Sequence, residues 1–78
     1  MSDPVLGAVN EVRANLGLPE CAELPDDLSL RSDLGFDSLA LAELTVRLEE
    51  ATGVDVFAEG VVARVGEVRE RIRAGGGG

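Results

Sequence analysis

"DLGFDSLALAELTVRLEEATG", residues 33–53, passes from a Gly-Phe turn into a run, Leu39 to Thr52, that contains neither glycine nor proline. Helix formers dominate the run, so it predicts a helix closed by Gly53. At about 100° per residue, Leu41, Leu44, Leu48 and Thr52 gather on one side, the side expected to meet a core. Leu39, Ala42, Glu43, Val46, Glu49 and Glu50 fall opposite, where small hydrophobes mix with carboxylates. Such a face suits docking onto an apolar spot ringed by cations on another protein. It is equally the composition of a solvated face carrying a few exposed apolar residues.

Working outward from this helix, Asp3 is placed as an N-cap and Pro4 as a first helical residue. Val5, Leu6, Val9, Val12 and Leu16 then recur at helical spacing until Gly17. Residues 17–36 hold two prolines and two glycines and no sustained period, which predicts a long connection pinned by Leu24, Leu28, Leu30 and Leu34. A connection that long inside a small domain is commonly functional. Downstream, Val61, Val62, Val65, Val68 and Ile72 could line one helix, but Gly60 and Gly66 interrupt them. A short third helix over 58–63 and a fourth over 67–73 are expected, with Arg69, Arg71 and Arg73 in the final turn, where cations complement the helix dipole. The closing glycines, 75–78, read as a disordered tail. The sequence therefore predicts one all-α domain over residues 1–74: a small four-helix bundle with a long loop between helices one and two.

Composition narrows the function classes. A formal net charge of −8 on 78 residues argues against nucleic acid, which is bound through clustered cations, and favours basic partners. It also predicts that added salt stabilises the chain by screening its self-repulsion. Only Phe36 and Phe57 are aromatic, so the core must be built from aliphatic residues. Cys21 is the single cysteine and there is no histidine, which leaves no internal disulfide and no zinc or iron-sulfur ligand set. The opening "MSDPVLGAVNEV" has neither a cationic n-region nor an apolar h-region, and no apolar stretch has the length of a membrane span. A cytoplasmic, monomeric protein is the expectation.

Ser38, at the start of the second helix, poses the chemical question. Nucleophilic catalysis needs a base for the hydroxyl proton, and the chain has neither histidine nor lysine. The GxSxG elbow is absent, and Asp33 and Asp37 lack the ligand spacing of a calcium loop. A hydroxyl beside the unpaired amides and positive end of a helix suits a phosphate ester; Ser38, or Asp37 before it, also suits a plain N-cap.

With "SLRS" before it and "RLEEATGVDV" after it, the DSL run resembles the carrier-protein family, the acyl carrier proteins of fatty-acid and polyketide synthesis and their peptidyl relatives. The resemblance covers nearly the whole chain. It implies a non-catalytic carrier whose Ser38 is esterified by 4′-phosphopantetheine, transferred from coenzyme A by a phosphopantetheinyl transferase. The thiol of that arm would hold acyl groups as thioesters, and Cys21 would take no part. Asp37, Leu39, Glu43 and Leu44 match the family motif. Phe36, Asp37, Leu39, Ala42, Glu43, Val46, Glu49 and Glu50 are the implied partner-recognition residues. The implied partners are the transferase, an acyl- or aminoacyl-loading ligase or acyltransferase, and a ketosynthase or other pathway enzyme. Ala40 and Ala42 stand where fatty-acid carriers often have an acidic and a larger aliphatic residue, and "FAEGVVARV" lacks their acidic third helix. Phe36 is closer to polyketide carriers, so bacterial polyketide or other specialised metabolism is the expected setting, with a free-standing aminoacyl or peptidyl carrier as the alternative. Two other classes compete: a ubiquitin-like sulfur carrier, disfavoured by the scarcity of period-two strand patterns, and a helical interaction module whose Ser38 stays unmodified.

Overall fold

The computed structural model describes residues 3–58, 60 and 62–76. Three helices lie among them: α1 (Pro4–Asn15), α2 (Ser38–Thr52) and α3 (Val65–Gly76). The fold is an all-α bundle, as the sequence predicts. Asp3 caps α1, its carboxylate accepting from the Val5 amide at 3.0 Å, and Pro4 spends its missing N–H where no partner is needed. The helix closes as the Leu18 amide donates to Arg13 O at 2.8 Å and the Gly17 amide to Ala14 O at 3.1 Å, the paired bonds of a Schellman end. Asp37 caps α2, accepting from the Ala40 amide at 2.8 Å, and Gly53 ends it in the left-handed region at φ 77°, where a Cβ would be strained. At the head of α3 the Glu67 carboxylate reaches back to the Ala63 and Arg64 amides at 3.2 and 3.1 Å, satisfying donors at the entry to that helix.

The core joins Val5, Ala8, Val9 and Val12 of α1 to Ala40, Leu41, Leu44 and Leu48 of α2 and to Val65 and Val68 of α3. Leu24, Leu30 and Leu34 of the long connection are buried with them and Leu28 partly so, which accounts for their spacing in the sequence. Each fully buried side chain of this size is stabilised by about 1.5–3 kcal/mol relative to exposure. Leu16, grouped by period with the α1 stripe, is 49% exposed, because the helix has ended before its side chain can turn inward.

The connection has little regular structure of its own, so its backbone polar groups are satisfied from outside. Asn10 exchanges two hydrogen bonds with the Cys21 backbone, at 3.0 and 2.7 Å. Arg13 donates to Pro19 O and Leu34 O. Arg69 donates to Leu24 O at 2.7 Å and pairs with both Asp26 and Asp3, tying the N-terminus, the connection and α3 at one guanidinium. Partial burial pushes the Asp3 carboxyl up, but the hydrogen bond and charge of Arg69, with the Val5 and Leu6 amides, outweigh it and hold the group below its ordinary value.

Two expectations are corrected downstream of α2. The short third helix over 58–63 does not form among the described residues: residues 56–58 make a turn, Gly60 a bend, and Val62 and Ala63 run non-helically into an isolated antiparallel bridge between Ser29 and Arg64. The Leu30 amide donating to Ala63 O at 2.9 Å holds that pairing, so Val62 enters the core from an irregular strand-like segment rather than from a helix face. Glu59 and Val61, also in that expected helix, lie outside the described residues. The last helix begins two residues earlier than expected and runs on to Gly76, which leaves Arg73 alone in its last turn and makes Gly75 helical rather than tail. Gly75 fits because the side chain of Val54 lies against it; a Cβ there would stand 2.9 Å from Val54 Cγ1. Gly77 and Gly78 are outside the described residues.

Candidate functional site

The segment leading into α2 is a series of short turns. The Asp33 carboxylate accepts from the Ser29 amide at 2.7 Å, the Ser29 hydroxyl accepts from the Ser32 amide, and the Gly35 amide donates to Arg31 O at 3.1 Å. Gly35, at φ +74°, then reverses the chain so that Leu34 and Phe36 both enter the core on either side of it. The Phe36 amide closes the turn on Leu30 O at 3.0 Å. Asp37 and Ser38 emerge from this anchor on the surface.

Ser38 is the first residue of α2, and its side chain is exposed. The capping bond that either residue could have made belongs to Asp37, so the hydroxyl is not consumed in starting the helix. Its hydrogen-bond partner among the described residues is Arg31, whose Nη2 donates to Oγ at 3.3 Å. The hydroxyl opens onto a groove of about 260 Å³ lined by Arg31, Ser38, Leu41, Ala42, Thr45 and Phe57. A cation beside an accessible hydroxyl, with an apolar wall behind, is what a phosphodiester leading into a partly apolar chain requires.

Residues 8–66 match the protein family described as "Phosphopantetheine attachment site". The chain belongs to this family of acyl carrier proteins. A relative, "Acyl carrier protein" of Rubrobacter xylanophilus, is 40% identical over 55 residues, covering 69% of this chain and 67% of that protein. No solved structure matches the chain. The cofactor of the family is 4′-phosphopantetheine, and the residues around Ser38 fit it: an open oxygen, a guanidinium within reach and a partly apolar groove beside them. No helix among the described residues of this carrier is long and apolar enough to cross a membrane.

Of the residues expected to meet partners, the structure groups five on the outer side of α2 in the carrier. Leu39 is 79% and Val46 55% exposed, and Ala42, Glu49 and Glu50 are exposed beside them. Asp37 is exposed but engaged as the helix cap. Phe36 is a correction: at 2% exposure it belongs to the core, because the Gly35 turn sends its ring inward, and it offers no surface to a partner. Glu43 lies on the same arc of the helix, but its carboxylate is turned toward α1, accepting from Asn15 at 2.6 Å and from Arg47 at 2.9 Å. The Asn15 hydrogen bond and then Arg47 hold its carboxyl below the ordinary value against the opposing effect of desolvation. Arg47 in turn reaches Glu11, so these residues link α1 to α2. Ala40 is buried, so its small size serves packing rather than thinning the outer face.

Sequence reasoning missed Arg31, Thr45 and Phe57. Arg31 lies seven residues before Ser38 and Phe57 nineteen after, and only the path of two irregular segments brings them to the same groove. The one available signal was the charge contrast: an arginine in "SLRS" within a strongly acidic chain.

Proposed function

We propose that Ser38 Oγ is the atom to which 4′-phosphopantetheine is esterified, and that the chain carries acyl groups between enzymes of a bacterial polyketide or related specialised pathway. The observation that carries this reading is the division of labour at the head of α2: Asp37 takes the capping bond and leaves the neighbouring hydroxyl exposed. When bound, the group supplies the terminal thiol that holds an acyl cargo as a thioester. The chain's own part is to present the oxygen. No histidine or lysine is available to take its proton, and in this reading the transferase supplies the base for esterification. Leu39, Ala42 and Val46, bordered by Glu49 and Glu50, form the surface that the transferase, the loading ligase or acyltransferase and a ketosynthase would grip through complementary apolar and cationic patches. The acyl rather than aminoacyl reading is supported by the relative's name, and the polyketide setting by the Phe-Asp-Ser-Leu run at 36–39.

Incubation with coenzyme A, Mg²⁺ and a promiscuous phosphopantetheinyl transferase, followed by intact-mass measurement, tests the attachment. The wild-type chain should gain the mass of one arm and Ser38→Ala none. A wild-type chain that stays unmodified sinks the reading, and a gain in Ser38→Ala moves the site elsewhere. Offering acyl and aminoacyl ligases to the modified chain then sorts the cargo class.

A further inference from the structure

Arg31 differs from the other arginines of this chain in what it holds. Arg47, Arg69 and Arg73 pair with carboxylates, while Arg13, Arg64 and Arg71 donate to main-chain carbonyls and thereby fasten one segment to another. Among the described residues, the Ser38 hydroxyl is the one hydrogen-bond partner of the Arg31 guanidinium, which forms no ion pair there. In a chain with 15 carboxylates and 7 cations, an arginine that pairs with no carboxylate among the described residues presents its charge to an anion from outside.

Its position is fixed although its side chain is exposed. Leu30 before it is fully buried, its own carbonyl accepts from the Gly35 amide, and the Phe36 amide closes on Leu30 O. The backbone at residue 31 is thus anchored on both sides, and the guanidinium is presented at the mouth of the groove whose other walls are Leu41, Ala42, Thr45 and Phe57. The groove runs from a cationic end at Ser38 to an apolar wall between α2 and the 56–58 turn.

We infer that Arg31 is a positioning residue for the arm: its guanidinium ion-pairs with the phosphodiester formed on Ser38 and lays the first part of the attached chain along the Leu41, Ala42 and Phe57 groove. This rests on the Ser38 attachment reading. A guanidinium has no proton-accepting lone pair, so in the unmodified chain its bond to Oγ occupies an acceptor site and leaves the O–H free to face an incoming enzyme. After esterification the same donors face two phosphoryl oxygens that share one negative charge, a stronger and forked acceptor than a hydroxyl. The role is one of orientation; Arg31 takes no part in bond making.

The test compares apo and phosphopantetheinylated protein for wild type, Arg31→Gln and Arg31→Lys, each checked for modification by intact mass and for fold by circular dichroism. In wild type, modification should shift the amide resonances of Leu41, Ala42 and Phe57 and the Arg31 Nε–H. Those shifts should shrink as NaCl rises toward about 1 M, where the screening length falls to about 3 Å. In modified Arg31→Gln the groove shifts should be lost while those of residues adjoining Ser38 persist, and Arg31→Lys should restore them in part, through charge without the fork. Groove shifts equal in wild type and Arg31→Gln, or missing from modified wild type, overturn the inference and leave the attachment reading intact. Absence of any mass gain in wild type removes both.

Discussion

The two sides of α2 are built from nearly the same residue types and do opposite things. Leu41, Leu44 and Leu48 are buried, the last two completely, whereas Leu39 and Val46 on the same helix are more than half exposed. The carboxylates divide likewise: Glu43 is bonded to Asn15 and Arg47, while Glu49 and Glu50 are exposed. Residue type therefore does not distinguish the side that makes the protein stable from the side available to partners; only the helical angle and the position of α1 do. Substitutions of one type on the two sides should accordingly have unlike effects.

The widest contrast is between Phe36 and Leu39, which flank Asp37 and Ser38. Phe36→Ala should cost about 3–5 kcal/mol in chemical denaturation, because it empties a core position, and Leu39→Ala less than about 0.5 kcal/mol. The second variant should instead slow arm transfer at unchanged melting temperature. Similar stability losses in the two would dissolve the distinction. Next, Leu44→Ala should cost about 2–4 kcal/mol against less than about 0.5 for Val46→Ala; a loss under about 0.5 for Leu44→Ala would mean that the faces are reversed.

A finer division separates the acidic residues. Glu43→Lys should lower the melting temperature by removing the links to Asn15 and Arg47 and placing like charges four residues apart, and Glu49→Lys should leave it unchanged while slowing loading by partner enzymes. Equal thermal effects would show that Glu43 belongs with the outer face after all. The smallest effect concerns Asp3, away from both sides. Its folded pKa lies below the unfolded value, so its contribution is present above the unfolded pKa, near pH 4, and is lost as pH falls through the folded one. Asn is as good a cap as Asp, so Asp3→Asn keeps the cap and removes the charge that Arg69 and the Val5 and Leu6 amides stabilise. The variant should be less stable than wild type at pH 7, with the gap closing below about pH 4. A gap independent of pH would assign the effect to something other than that charge.

How far the sequence could be read follows from the range of the interactions involved. The starts of α1 and α2 were legible because Asp3, Pro4 and Asp37 act within three residues of themselves, and Gly53 likewise marks an end. The inner stripe of α2 was legible from period alone. The approach to α3 was not: Val62 has helical spacing with Val65, yet the bridge of Arg64 to Ser29, thirty-five residues away, holds residues 62–64 out of a helix. Phe36 was misplaced because its neighbours in sequence lie on the surface and only the Gly35 reversal turns it inward. Glu43 sat on the expected side of the helical wheel but within reach of Asn15, a contact that no single-helix projection contains. Ser38 was singled out by motif and Arg31 was not, since the groove that both line is a product of the fold.

The Asp37 cap has one further consequence. Because the carboxylate next door, and not the hydroxyl, begins α2, the helix has the same starting bond whether Ser38 is bare or esterified. On the proposed attachment at Ser38, the arm could then be added or cleaved without disturbing the bond that starts the helix, and an enzyme that cleaves the ester would return a body with the same cap.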